Sequence, residues 1–114
     1  SQKNRKYLNN LDYYIIESNH DVEMLMATKR PYFLKQRIHG DLGHLNNEYS
    51  AKMMVELIGD KTKEIVLAHL SEEANTKEKA LETYRKIFNQ NNLEFDNIKV
   101  ASQIDVVSGG NYED

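Results

Sequence analysis

The amino-acid sequence predicts an α/β fold in which strands alternate with helices. Two short apolar runs, Tyr13–Glu17 (YYIIE) and residues 64–70 (EIVLAHL), have the length and the β-branched and aromatic content of buried strands. Two longer stretches, residues 48–58 and 76–88, space their apolar side chains three and four positions apart, the stripe of an amphipathic helix. A third short run at residues 97–101 completes the order strand, helix, strand, helix, strand, the pattern of a layer with at least two parallel crossovers.

Each element has a local reason. Residues 1–10 (SQKNRKYLNN) are polar, helical at best, and end at Asn9 and Asn10. The first strand runs without a spacer into Glu17, Ser18, Asn19, His20 and Asp21, so it delivers polar side chains to a rim. Val22–Ala27, with Met24, Leu25 and Met26, reads as a helical turn; Pro31 stops it, because the residue before a proline is pushed out of the helical region. Residues 29–46 form a long loop, and long ordered loops in small domains are more often functional than decorative. The helix of residues 48–58 carries Ala51, Met54, Val55 and Ile58 on one face, with Asn47 as N-cap and Gly59 at its end. The second helix buries Ala80, Leu81, Tyr84, Ile87 and Phe88, and Asn75 and Glu78 stand at capping-box spacing. The methionines at positions 24, 26, 53 and 54 read as core filler, and residues 108–114 (SGGNYED) as a frayed tail.

Composition narrows the function classes. At 114 residues the chain is one domain at most, and with 39% hydrophobic residues its core is thin, leaving one face in want of cover. The absence of cysteine excludes disulfides and thiolate metal sites, so a metal would need His, Asp or Glu, and it fits a reducing cytoplasm. No apolar run reaches membrane-span length and the first ten residues lack the apolar core of a secretion signal, so the chain reads as soluble, cytoplasmic and without a membrane partner. A net charge of −3 argues against coating nucleic acid with the whole surface. One stretch departs from this. KRPYFLKQRIHG, residues 29–40, sets Lys29, Arg30, Lys35 and Arg37 around Tyr32 and Phe33 without an acid. It reads either as a groove for a phosphate backbone and stacked bases or as a solvated loop anchored by its aromatics.

In open α/β sheets, ligands bind beyond the carboxyl ends of the strands. That rule brings Glu17, His20 and Asp21, at the end of the first strand, to the same rim as His69, at the end of the second. The loop GDLGHLNN, residues 40–47, leads into a helix N-terminus, which favours an anion, and carries His44 to the same place. Three of the four histidines thus have a route to one site, and His39 is given no role. Each also has a structural reading: a lone rim histidine is often simply satisfied there, and Asp21 is placed to cap the helix beginning at Val22.

ESNHD at residues 17–21, GHL followed by NNE at 43–48, and IVLAHLSEEANT at 65–76 occur in order with strands and helices between them. In these motifs the chain resembles the C-terminal half of the YycJ (WalJ) branch of the metallo-β-lactamase-fold hydrolases, a group that includes tRNase Z and RNase J. The resemblance implies the C-terminal half of an αββα sandwich, so residues 1–114 would be a single partial domain. It implies two divalent ions, zinc or manganese, activating water against a phosphodiester, with His69 as a metal ligand. His44 would be proton donor and phosphate contact, and Glu17, His20 and Asp21 would be catalytic. Lys35 and Arg37 of the basic loop, with Asn47 at the helix start, are the substrate-binding candidates. The family's HxHxDH signature and bridging aspartate are not in this sequence, Asn46 stands where related sequences commonly carry Ser, and Ala74 where they commonly carry Asn. The expectation is therefore a metal-dependent nuclease of DNA or RNA in the full-length parent. This chain would hold an incomplete site, be inactive alone, and pair with a missing N-terminal half or with itself. A small-molecule phosphodiesterase or thioesterase on the same centre, and a non-catalytic binding or assembly module, are the competing readings.

Overall fold

The computed structural model describes residues 9–32, 34–35 and 44–101. Its elements, in chain order, are β1 (Tyr13–Glu17), α1 (Val22–Ala27), α2 (Asn47–Leu57), β2 (Glu64–Ala68), α3 (Lys77–Gln90) and β3 (Ile98–Val100). The three strands form one parallel sheet in the order β1-β2-β3, with Tyr13 opposite Glu64 and Ile65 opposite Ile98. The α/β fold expected from the sequence is thus observed. Because the order advances in one direction, two crossovers of the same hand place both connecting helices on one side of the sheet.

Strand alternation then sorts the side chains. Tyr14, Ile65 and Leu67 face the helices and join Ala51, Met54, Leu57, Ala80, Tyr84, Ile87 and Phe88 in one apolar core. On the opposite face Tyr13 and Ile15 are exposed, Ile15 by 77%. The Lys99 ammonium reaches Glu64 at 3.1 Å, an ion pair between neighbouring strands. Of the methionines, Met54 is fully buried but Met26 is exposed, because a two-turn helix has room to bury only one side, here Leu25.

The helix ends correct two sequence readings. Asn46, not Asn47, caps α2 by accepting the Tyr49 N–H at 2.9 Å. Thr76, not Asn75, caps α3 by accepting the Lys79 N–H at 2.9 Å. In both cases the asparagine one residue away is buried and bonded elsewhere. The far end of α3 is closed by Asn92 at φ 59°, with the Leu93 N–H on the Phe88 carbonyl and the Asn92 N–H on Asn89, the paired bonds of a Schellman turn. The 108–114 tail lies outside the described residues. Among the described residues no helix is long and apolar enough to cross a membrane.

Candidate functional site

The polar exit from β1 divides into an outward and an inward set. Glu17 turns outward to the chain entering α2: its Oε2 lies 2.8 Å from His44 Nδ1 and its Oε1 accepts the Leu45 N–H at 3.1 Å. One carboxylate thus holds both the imidazole and the backbone beside it. The His44 side chain remains 44% exposed. Asp21 caps α1, accepting the Met24 N–H at 3.0 Å, which is the structural reading of that residue.

Ser18 and His20 turn inward and are fully buried. Ser18 Oγ donates to Asn47 Oδ1 at 2.6 Å. The Asn47 and Asn75 side-chain amides pair reciprocally at 2.9 and 3.0 Å, and Asn75 Nδ2 also reaches the Ser18 and Asn19 carbonyls. Asn75 Oδ1 takes the Thr76 N–H. These contacts join the end of β1 to the starts of α2 and α3. Among the described residues, no buried side-chain nitrogen or oxygen lacks a partner. Deeper still, the Ser50 and Tyr84 hydroxyls bond to each other, and burial pushes the Tyr84 phenol well above its ordinary value, the Ser50 bond opposing the shift.

His69 follows β2 directly, exposed, with φ at 57°. The Asn19 amide donates to its carbonyl at 2.9 Å. Beside it a cleft of about 500 Å³ is lined by Asn19, Arg30, His44, Ser71, Glu72 and Glu73, and Arg30 Nε donates to Glu73 Oε1 at 2.8 Å.

The sequence-derived candidates therefore separate. Glu17 and His44 meet, and His69 shares their rim through Asn19. His20 is packed inside, with Nδ1 at 3.1 Å from Asn19 Oδ1. Asn47 is 2% exposed and its amide is spent on Ser18 and Asn75, so it faces away from solvent. Lys35 Nζ is drawn to the Met26 carbonyl at 2.7 Å, where the last turn of α1 offers acceptors. Arg37 and His39 lie outside the described residues. At the two positions noted as departures from the resembling motifs, Asn46 caps α2 and Ala74 is fully buried, while Asn75 carries the polar network. Sequence reasoning missed the roles of Asn19, whose only signal was its place beside His20, and of Asn75, which spacing offered as a helix cap.

Two bridged divalent ions need a shared ligand and several others. Among the described residues no three His, Asp or Glu side chains converge, so those present do not fit a complete two-ion centre.

Comparison with known proteins gives the site a context. Over 71 residues the chain is 54% identical to exodeoxyribonuclease WalJ of Streptococcus pneumoniae, in strains D39 and R6, a match covering 62% of this chain and 26% of that protein. Over that stretch the chain is similar to WalJ. Exodeoxyribonuclease YycJ of Bacillus anthracis is 51% identical over 67 residues, covering 59% of the chain and 25% of that relative. These identities show the likeness to the YycJ (WalJ) type read from the three motifs. The chain spans about a quarter of the length of the curated relatives it matches. No protein-family model and no solved structure matches it.

Proposed function

We propose that this segment forms one rim of the active site of a DNA exonuclease in a protein of the relatives' length. The observation that carries the reading is the Glu17–His44 pair at 2.8 Å, at the carboxyl edge of a parallel sheet where α/β proteins bind their ligands. The names of the WalJ and YycJ relatives support nucleic acid as the substrate and DNA as its kind.

Glu17 occupies His44 Nδ1 and sets the plane of the ring, which leaves the chemistry to Nε2. In hydrolysis the water oxygen adds to phosphorus and its proton passes to solvent, the bond from phosphorus to the departing nucleoside oxygen breaks, and Nε2 of His44 gives that oxygen a proton. Arg30, held at the cleft by Glu73, lies where a substrate phosphate can take the carboxylate's place. Lys35 and Arg37 of the basic loop would add charge for the substrate's phosphate backbone. In a protein of the relatives' length, His69 would be one ligand of a zinc or manganese centre, which would supply the activation of water. The fold of the whole is the metallo-β-lactamase sandwich, and the open sheet face around Ile15 is where the rest of that domain packs.

The test is DNA degradation by the full-length protein. His44→Ala lowers kcat by on the order of 100- to 10,000-fold with DNA binding retained, the range of a positioned general acid. His69→Ala lowers both activity and bound metal per chain. Wild-type rates in both variants would overturn the reading.

A further inference from the structure

His69 has an unusual backbone for its place. Among the described residues only Asn10, His69 and Asn92 combine a side chain with positive φ, and His69 alone does so directly after a strand. A residue with a Cβ is disfavoured in that region by roughly tenfold, so something must hold it there. Among the described residues, Asn19 grips both sides of the bend. Its side-chain nitrogen donates to the His69 carbonyl at 2.9 Å, and its own carbonyl accepts the Ser71 N–H at 2.7 Å.

The rest of Asn19 is equally committed. Its N–H donates to the Leu45 carbonyl at 2.8 Å, next to His44, and its carbonyl also accepts from Asn75 Nδ2 at 3.1 Å. The orientation of its amide follows from chemistry. A carbonyl only accepts, so the nitrogen must face His69, the oxygen must face His20, and His20 Nδ1 must carry a proton to donate to it. Buried His20 thereby locks the amide that holds His69. We propose that Asn19 is the positioning residue of the rim: it holds His69 in its left-handed backbone conformation and sets the spacing between the His69 bend and the His44 loop. The importance of His69 to chemistry rests on the proposed function; the clamp itself does not.

The experiment uses the 114-residue chain, isotope-labelled for NMR, as wild type, Asn19→Ala and Asn19→Asp. Asp keeps the size and one oxygen of Asn but loses the donor. The sign of φ at residue 69 is read from intraresidue couplings and the close HN–Hα contact of the left-handed region, with Asn92 as internal control. The expected result is positive φ at His69 in the wild type, lost in both variants, while Asn92 is unchanged. Positive φ at His69 retained in both variants would overturn the proposal. Where a variant folds too poorly for spectra, stability decides. Adding His69→Gly to Asn19→Ala should recover about tenfold in the folding equilibrium constant, since glycine adopts positive φ freely, and no recovery counts against the clamp. If His44→Ala and His69→Ala both leave DNA degradation untouched, the nuclease reading fails while the clamp stands.

Discussion

The interior beneath the helices and the interior behind the rim are built on opposite plans. Beneath the helices, Tyr14, Met54, Ile65, Leu67 and Phe88 meet through contacts with no preferred direction. Behind the rim, Ser18, His20, Asn47 and Asn75 are buried just as deeply but joined by directed bonds. An apolar core tolerates many fillings of similar volume, whereas a buried polar network allows one geometry and penalises every partner left unmet. The fold thus puts its bulk stability in one place and its precision in another.

The largest break comes from the apolar side. Phe88, 2% exposed, has ring centroids 5.6 Å from Tyr84 and 6.5 Å from Phe95. Phe88→Ala should cost about 3–5 kcal/mol in urea unfolding, and Phe88→Leu should recover much of that, as expected of contacts without direction. Asn75→Ala comes next, at about 2–3 kcal/mol, because the Ser18 carbonyl, the Asn47 amide and the Thr76 N–H all lose a bond in the interior. Unlike at Phe88, the near-isosteric Asn75→Asp should not rescue, since the missing atom is a donor. A double-mutant cycle with Asn47→Ala should depart from additivity by at least about 0.5 kcal/mol; an additive result would mean the two amides act separately.

Tyr84 stands where the two interiors meet and gives the comparison a pH axis. Its ordinary pKa is 10.0 and burial raises it, so the folded phenol keeps its proton while the unfolded one loses it. Above about pH 10 the unfolded state binds fewer protons, and stability should fall by about 1.4 kcal/mol per pH unit until the folded phenol ionises. Tyr84→Phe should remove that part of the alkaline slope, which urea midpoints at pH 9, 10 and 11 would reveal.

The apolar plan was legible in the sequence because it is periodic. Stripes at Ala51, Met54, Ala80, Tyr84, Ile87 and Phe88 named the core, and the short apolar runs at Tyr13–Glu17 and after Glu64 named the strands. The polar plan was legible only as a place. Polar residues after a strand announce a rim, but whether each side chain turns out, as Glu17 does, or in, as Ser18 and His20 do, depends on partners distant in sequence: Asn47, Asn75 and Leu45. Asn75 and Asn47 read as caps because local spacing favours that use; tertiary partners 28 residues apart claimed both side chains instead. The left-handed turn at His69 had no sequence signal, since nothing in HLS demands it and its support comes from Asn19.

The smallest effect separates the open face of the sheet from both interiors. Ile15 is 77% exposed on β1, so Ile15→Lys in the 114-residue chain should change unfolding free energy by no more than about 0.5 kcal/mol. It should also reduce concentration-dependent association seen in light scattering, because it breaks the apolar surface formed with Tyr13. In a protein of the relatives' length the proposed sandwich covers this face, and the same lysine would then be forced out of water. There its cost should rise to several kcal/mol, as for a charge buried without a partner. The difference between the two costs measures how much of the open face is covered by the rest of the molecule. Equal costs in the short and long chains would mean that this face stays in solvent and that the rest of the protein packs elsewhere.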